Sequence, residues 1–467
     1  MKRLLLFLAL LTLLLLPILA QGETYRAAPG ELTGLLARCQ SGDIIELSDA
    51  VFDNTTEAFP LVVPHGVTVR PQAGAHPVID APAMVAAFRV EASDVTLEGL
   101  DIRMLRTGVY AVVSEGLTIK DCRVTLADPK WRTSSAGIWL GGVENAKLLH
   151  CAFVGCSVCM AGPPVTDQTG DVPVLTRLFE VGEDPAYFTT HTIEGCTVNG
   201  LPLHYIVNQE EVTAPLDGGE IFIAGCGSVL VDGAVIQDAS MGVQLMHNDR
   251  VEVRNTRADR CGIFGVYVAK CGKVLLDHCS SSYTNHGLDI RACNQVEMIN
   301  CQAWNCDQGL FFSRVDDGLM ADSQAWDTAQ GIFSAGGHHN VFLRCQVDGC
   351  ETGIHFEKER DAVITGCRIG TCTVVGVRLE GCTTAVLDND FVENWVGMMA
   401  YGGTTYLVAN NRFTDNRNCG LFLMDLGYSQ ILHNSFAGHP LYSLILRGDT
   451  GGSCFLENDL DVPVTLQ

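Results

Sequence analysis

One pattern, repeated at intervals of about 22 residues, restricts this chain more than any other feature. The sequence Gly-apolar-x-apolar stands at Gly242-Val243-Gln244-Leu245, Gly265-Val266-Tyr267-Val268, Gly287-Leu288-Asp289-Ile290, Gly309-Leu310-Phe311-Phe312 and Gly353-Ile354-His355-Phe356, and continues at Gly376, Gly397 and Gly420. The steps are 21 to 23 residues, with two units between Gly309 and Gly353. A period in this range marks a stacked repeat architecture.

Further along each unit comes a second fixed position, held by Ala234, Thr256, Cys279, Cys301, Ser323, Cys345, Cys367, Asn389, Asn411 and Asn434. Three residues earlier the chain is always apolar, as at Leu276, Met298, Phe342 and Ile364. Five residues later stand Ala239, Cys261, Thr284, Cys306, Thr328, Cys350, Cys372, Asn394, Asn416 and His439. Each unit therefore holds three short alternating segments between corners, too short for a helix of about ten residues. The leucine signature of a leucine-rich repeat is missing. What fits is an all-β fold: a single-stranded right-handed parallel β-helix, three strands per coil.

In this pattern the chain resembles the pectate-lyase-like right-handed β-helix superfamily, whose coils have about this length and stack Asn, Ser, Thr or Cys at an internal corner. The resemblance covers nearly all the mature chain and implies a secreted carbohydrate-active protein. It specifies the fold and not the reaction. Equivalent residues on successive coils should lie about 4.8 Å apart, so like stacks on like. An inward Asn can bond the neighbouring coil's backbone and the next amide, while Cys and Ser fill the same corner at little polar cost.

Composition agrees. Of 467 residues 47% are hydrophobic, which excludes disorder, and 54 acidic against 30 basic side chains give a net charge of −24, which argues against a nucleic-acid partner. Lys2 and Arg3, an apolar run from Leu4 to Leu16, Pro17 and Ala20 read as a cleaved signal peptide over residues 1–22. The alternative, a retained anchor, meets a run shorter than the roughly 20 residues a spanning helix needs. The expected product is secreted, extracellular or periplasmic, monomeric, and without a transmembrane segment after cleavage.

Residues 23–467 form the expected β-helix domain. An N-terminal cap covers about 23–60, with a short amphipathic helix at Glu31–Arg38 and a strand at Asp43–Leu47. The register is legible at Gly108-Val109-Tyr110-Ala111 with Cys122, and at Gly137-Ile138-Trp139-Leu140 with Cys151 and Cys156. Spacings then stretch to 40 and 38 residues, placing groove-lining insertions at about 157–174 and 201–219.

Twenty cysteines in a secreted chain ordinarily suggest disulfides. Here twelve fall in the two corner columns, which favours buried free-thiol ladders over scattered disulfides. Cys271 and Cys293, on adjacent coils and outside those columns, are the pair best placed to bond. Cys151, Cys156 and Cys159 lack paired histidines, so zinc is not expected.

Core-facing side chains are committed to packing, so function falls to outward positions and turns. On the sheet that follows the glycines the first outward column includes Tyr110, Trp139, Phe222, Gln244, Tyr267, Asp289, Phe311, Phe333, His355 and Arg378, and the second Arg291, Ser313, Glu357, Glu380 and Tyr401. Trp139, Tyr267 and Phe311 could stack on sugar rings or could simply support each other across strands. The following turn stacks Asn294, Asp316, His338 and Arg360, and beside them Gln295, Asp317, His339 and Asp361. This order looks like the active-site order of polygalacturonases. Only Asp316-Asp317 matches that family's motif as it stands; Gly337-His338-His339 lacks the second glycine and Asn294-Gln295 lacks the acid.

Glycoside hydrolysis needs one protonated and one ionised carboxyl. Asp289, Asp316, Asp317, Glu357 and Asp361 are candidates, with His338 or His339 polarising a neighbour and Arg291, Arg314, Arg360 or Arg378 orienting the substrate, which His355 and Glu357 would also contact. The competing chemistry is β-elimination from a uronate, with Lys270 and Arg291, 21 residues apart, as base and charge neutraliser. Such a lyase would add Ca²⁺, for which no compact acidic trio stands beside Lys270. The expected function is thus cleavage or modification of an extracellular polysaccharide, by a hydrolase, lyase or epimerase. The alternative is a non-catalytic glycan-binding or surface-structural protein. No other cofactor or metal is implied.

Overall fold

A computed structural model of the chain describes residues 22–81, 85–164, 181–403, 406–449, 451–462 and 464–466. The expected signal peptide, apart from Gly22, and residues 165–180 of the region around the first expected insertion lie outside them. The described chain is nearly all strand, a β-solenoid of about 19 turns with short α-helices at Leu32–Arg38 and Ala186–Thr189. No helix among the described residues is long and apolar enough to cross a membrane.

Successive turns pair in parallel and in register, so that Leu288 sits on Leu310 and Asp289 on Phe311. Two columns enforce that register. A Cβ added at Gly287, Gly309 or Gly331 would lie 2.5 or 2.6 Å from the carbonyl oxygen of the next coil's glycine, which only a missing side chain permits. In the corner column, Asn389 Nδ2 donates to Ile364 O at 3.0 Å and to Asn411 Oδ1 at 3.0 Å, and Asn411 repeats both bonds with Val386 and Asn434. The amides of Asn389 and Asn411 are thereby paired on both sides.

The cysteines are free thiols, all buried except Cys454. Cys271 and Cys293 are not outside the core as expected: they belong to a third internal column at the next corner, where the Cys271 backbone N–H donates to Cys293 Sγ at 3.3 Å. Burial pushes the Cys122, Cys156 and Cys261 thiols up to about 12, leaving them inert packing groups.

One pairing is antiparallel. Thr197–Val198, which stacks on Ala152–Val154, turns through Asn199 and Gly200, with φ of 52° and 84°, into the strand Leu201–Val207. Positive φ at both residues is the two-residue hairpin turn that Asn-Gly favours. The turns before and after this hairpin form two stacks with one sheet continuous through both. In the second stack, sheet I carries the column glycines, sheet II runs from Glu211–Thr213 to Cys454–Leu456, and sheet III from Val235–Gln237 to Ser435–Ala437.

The hairpin corrects the insertion expected at 201–219. That stretch is the first strand of sheet I and the first of sheet II, and the spacing stretches because a new stack starts there. Likewise Val158–Ala161, expected to open the other insertion, is the last strand of a five-stranded sheet of the first stack. Ser157 and Ser240 exchange backbone-to-hydroxyl bonds at 2.7 and 2.9 Å, and Gln244 Nε2 donates to Met160 O at 2.6 Å. The first stack therefore lies against the early strands of sheet I.

Candidate active site

In each strand of sheet I, alternation sends two side chains inward and the intervening ones out. Ile354 and Phe356 are buried in the core, and His355 and Glu357 lie on the outer face. Register then stacks Arg378 on His355, Glu380 on Glu357, Met399 on Arg378 and Tyr401 on Glu380. Five chemically active groups from three consecutive coils meet in this way.

They form a chain of contacts. His355 Nε2 lies 3.1 Å from Glu380 Oε1 and 3.6 Å from Glu357 Oε1. Gln330 approaches His355 Nδ1 at 3.4 Å, and Nε2 faces the carboxylates. Arg378 bonds both Glu380 and the Tyr401 hydroxyl, the latter from Nε at 3.1 Å. Phe311 and Phe333 stack beside this cluster at 4.8 Å and 11°, and the Phe333 ring meets His355 edge-on at 5.1 Å. On the other side Val396, Met399, Cys419 and Phe422 make an apolar patch.

Burial and charge set the protonation states. Desolvation lowers the His355 pKa, with Arg378 adding to the effect against the opposing pull of Glu357 and Glu380, so the ring is neutral at neutral pH. Desolvation raises the Glu380 carboxyl, but the Tyr401 hydroxyl, Arg378 and His355 outweigh it and hold the group below the ordinary carboxylate value. Tyr401 is pushed up by desolvation and by Glu380, and stays protonated. One ligand atom from each of His355, Glu357 and Glu380 fits within 4.8 Å of the others, close enough to hold a metal ion. A mixed imidazole and carboxylate set suits a transition ion better than Ca²⁺, which takes oxygen ligands.

The other residues singled out from sequence sit elsewhere. Trp139, Tyr267 and Asp289 do not line an open groove: all three are buried, because the first stack lies on this end of sheet I. Asp289 is fully buried between Arg291, at 2.8 Å through Nε and Nη2, and His286 Nδ1 at 2.8 Å. Burial raises its carboxyl, yet these partners bring it below the usual range. Arg291 also lies over the Phe311 ring at 4.9 Å. Lys270 is engaged by Glu183 at 2.6 Å, so the base and neutraliser expected for a lyase are both held in ion pairs. Arg314 borders a surface cleft of about 290 Å³ together with Pro163, Glu183 and Tyr187.

The turn set is brought together. Asn294, Asp316, His338 and Arg360 form a parallel ladder, with His338 Nδ1 2.9 Å from Asp316 Oδ1 and His339 Nδ1 3.4 Å from Asp317 Oδ1. These groups are half-exposed or exposed, and Gln295, Asp317, His339 and Asp361 all have φ between 52° and 56°. A left-handed corner favours Asn, Asp and His, which accounts for the polar column without chemistry.

Comparison with known sequences adds the family. A sequence model described as the right-handed beta helix region matches residues 186–318, 264–413 and 318–460, together more than half of the chain. The chain belongs to this family.

No curated protein sequence matches it. Among solved right-handed β-helix structures it is similar to the periplasmic alginate epimerase AlgG, at 11% identity over 90% of this chain and 84% of that one, TM-score 0.35. Another is the A-module of the mannuronan C-5 epimerase AlgE4 of Azotobacter vinelandii, at 11% over 93% and 96%, TM-score 0.34. A third is the DFA-IIIase of Arthrobacter chlorophenolicus A6, at 11% over 71% and 88%, TM-score 0.36. Likeness of this degree assigns no chemistry, which must come from the β-helix's own side chains.

The sequence offers His355 and Arg378 as substrate contacts and Glu357 as both a substrate contact and a candidate catalytic carboxyl, and leaves Glu380 and Tyr401 unassigned. The missing signal was lateral: Glu357, Glu380 and Tyr401 follow one another in the second outward column, beside His355 and Arg378 in the first.

Proposed function

We propose that this β-helix is a secreted, monomeric enzyme that cleaves a polysaccharide laid along the outer face of sheet I, using Glu380 and Glu357. One observation carries the reading: two carboxylates on adjacent coils, with ligand atoms within 4.8 Å, stand beside a stacked aromatic pair. Oxygens no more than 4.8 Å apart put the pair closer to the arrangement of retaining glycosidases than to the roughly 6.5–9.5 Å of inverting ones. Glu380, held ionised by Tyr401 and Arg378, suits attack on the anomeric carbon. Glu357, more exposed and 3.6 Å from His355, suits protonation of the leaving oxygen. Phe311 and Phe333, both buried, back the cluster from beneath through the edge-on contact of Phe333 with His355.

Elimination from a uronate is the second reading. It is favoured by the neutral His355 beside the Arg378–Tyr401 pair, which offers a base, a proton donor and a cation on adjacent coils.

A panel of neutral and uronate polysaccharides separates these readings. New reducing ends without ultraviolet absorbance indicate hydrolysis, absorbance of an unsaturated product indicates elimination, and affinity without either indicates a binding protein. Full turnover in both Glu380→Gln and Glu357→Gln would overturn the site.

A further inference from the structure

Sheet III carries its own outward pattern, on a face separate from the Glu357–Glu380 cluster. Its strands Gln302–Trp304, Gln324–Trp326, Gln346–Asp348 and Arg368–Gly370 pair in register, with Ala303, Ala325 and Val347 buried between the outward residues. One outward column reads Gln302, Gln324, Gln346, Arg368; the other reads Trp304, Trp326, Asp348, Gly370. Trp304 and Trp326 stack with ring centroids 5.0 Å apart and planes within 2°.

The indole stack stops at Trp326. In the next coil the position holds Asp348, whose carboxylate accepts from Gln346 Nε2 at 2.6 Å, and in the coil after that it holds Gly370. A Cβ at Gly370 would lie 2.7 Å from Asp348 Oδ1, so the glycine makes room for that carboxylate. The step down from indole to glycine leaves a cleft of about 380 Å³ lined by Gln324, Trp326, Gln346, Asp348, Gly349 and Thr371. Trp304 does not line it, so the cleft opens on the side of Trp326 turned away from its stacked partner.

We infer that this cleft is a second glycan-binding site and takes a pyranose ring of a neutral polysaccharide. The ring continues the indole stack, seated in the place where a third aromatic would stand. Gln324 and Gln346 each donate and accept, as sugar hydroxyls do, and the Asp348 and Asp327 carboxylates accept from hydroxyls at the rim. No lysine or arginine lines the cleft and two carboxylates do, so a uronate or sulfated sugar is repelled. A rigid indole with two torsions binds at small entropic cost, and the strands hold it in place. The site does not depend on the chemistry assigned to Glu380 and Glu357.

Titration of the full chain with cellohexaose, mannohexaose, xylohexaose and hexagalacturonate, followed by tryptophan fluorescence and calorimetry, tests this. At least one neutral oligosaccharide should bind and shift the tryptophan emission, with affinity falling by about tenfold or more in Trp326→Ala. Should Trp326→Ala fail to fold, Thr371→Trp fills the same cleft from its rim and should abolish binding. Absence of binding by any neutral oligosaccharide up to about 10 mM, or affinity unchanged in both cleft variants, overturns the assignment. So does a Trp326-dependent preference for hexagalacturonate.

Discussion

Glu220 Oε2 accepts the backbone N–H of Val158 at 3.1 Å, joining the second stack to the last strand of the first through a carboxyl with no access to solvent. Burial raises that carboxyl to about 8, against smaller opposing contributions from the Ser157 hydroxyl and the Val158 N–H. The junction is thus built around an acid that is protonated at neutral pH.

Stability should therefore fall as pH rises from about 4.5 to about 8. The folded pKa lies above the unfolded value of 4.5, so the contribution is complete below 4.5 and is lost as pH rises toward 8. The expected slope is about 1.4 kcal/mol per pH unit in that window. Urea unfolding at several pH values checks it, and Glu220→Gln should remove the slope.

The glycine column predicts a steric penalty. An alanine Cβ at Gly331 would stand 2.6 Å from the Gly353 carbonyl oxygen and 2.6 Å from Val347 Cγ1. Gly331→Ala should cost about 1–3 kcal/mol, read as a lower urea midpoint with an unchanged m value.

On the outer face of sheet I, Glu380→Gln and Glu357→Gln should each lower kcat/KM by at least about 100-fold. Asp316→Asn and His338→Ala, in the exposed turn ladder, should change it by less than about threefold. Release of reducing ends from the preferred polysaccharide measures both.

The acid limb of the pH–rate profile should follow Glu380. Tyr401, Arg378 and His355 together hold its pKa below 4.5, so activity persists as pH falls to that value. Arg378→Met removes a lowering charge and should move the limb upward.

A thiol reagent should label Cys454 in the native protein and leave the ladder cysteines untouched until the chain is unfolded. Rapid labelling of Cys279 or Cys345 in the folded state would show that the columns are open to solvent.

Much of the fold was legible in the chain because a parallel solenoid turns distance in sequence into distance in space. Gly287, Cys279 and Asn411 each recur at coil spacing because the next coil presses on the same spot. Asn199-Gly200 carries a turn signal between apolar runs, but a stretched period reads equally as an insertion, because spacing alone does not distinguish an added loop from the start of a new stack.

The periodic sequence by itself determined the strands, the register and the internal ladders, since each rests on contacts one coil away. Only the tertiary structure decided which outward residues meet solvent. Reversal at Asn199-Gly200 lays the first stack on the early strands of sheet I, burying Trp139, Tyr267 and Asp289, while Glu357 and Glu380 stay accessible above a buried His355. Burial between stacks depends on contacts such as that between Gln244 and Met160, 84 residues apart, which no repeat spacing encodes.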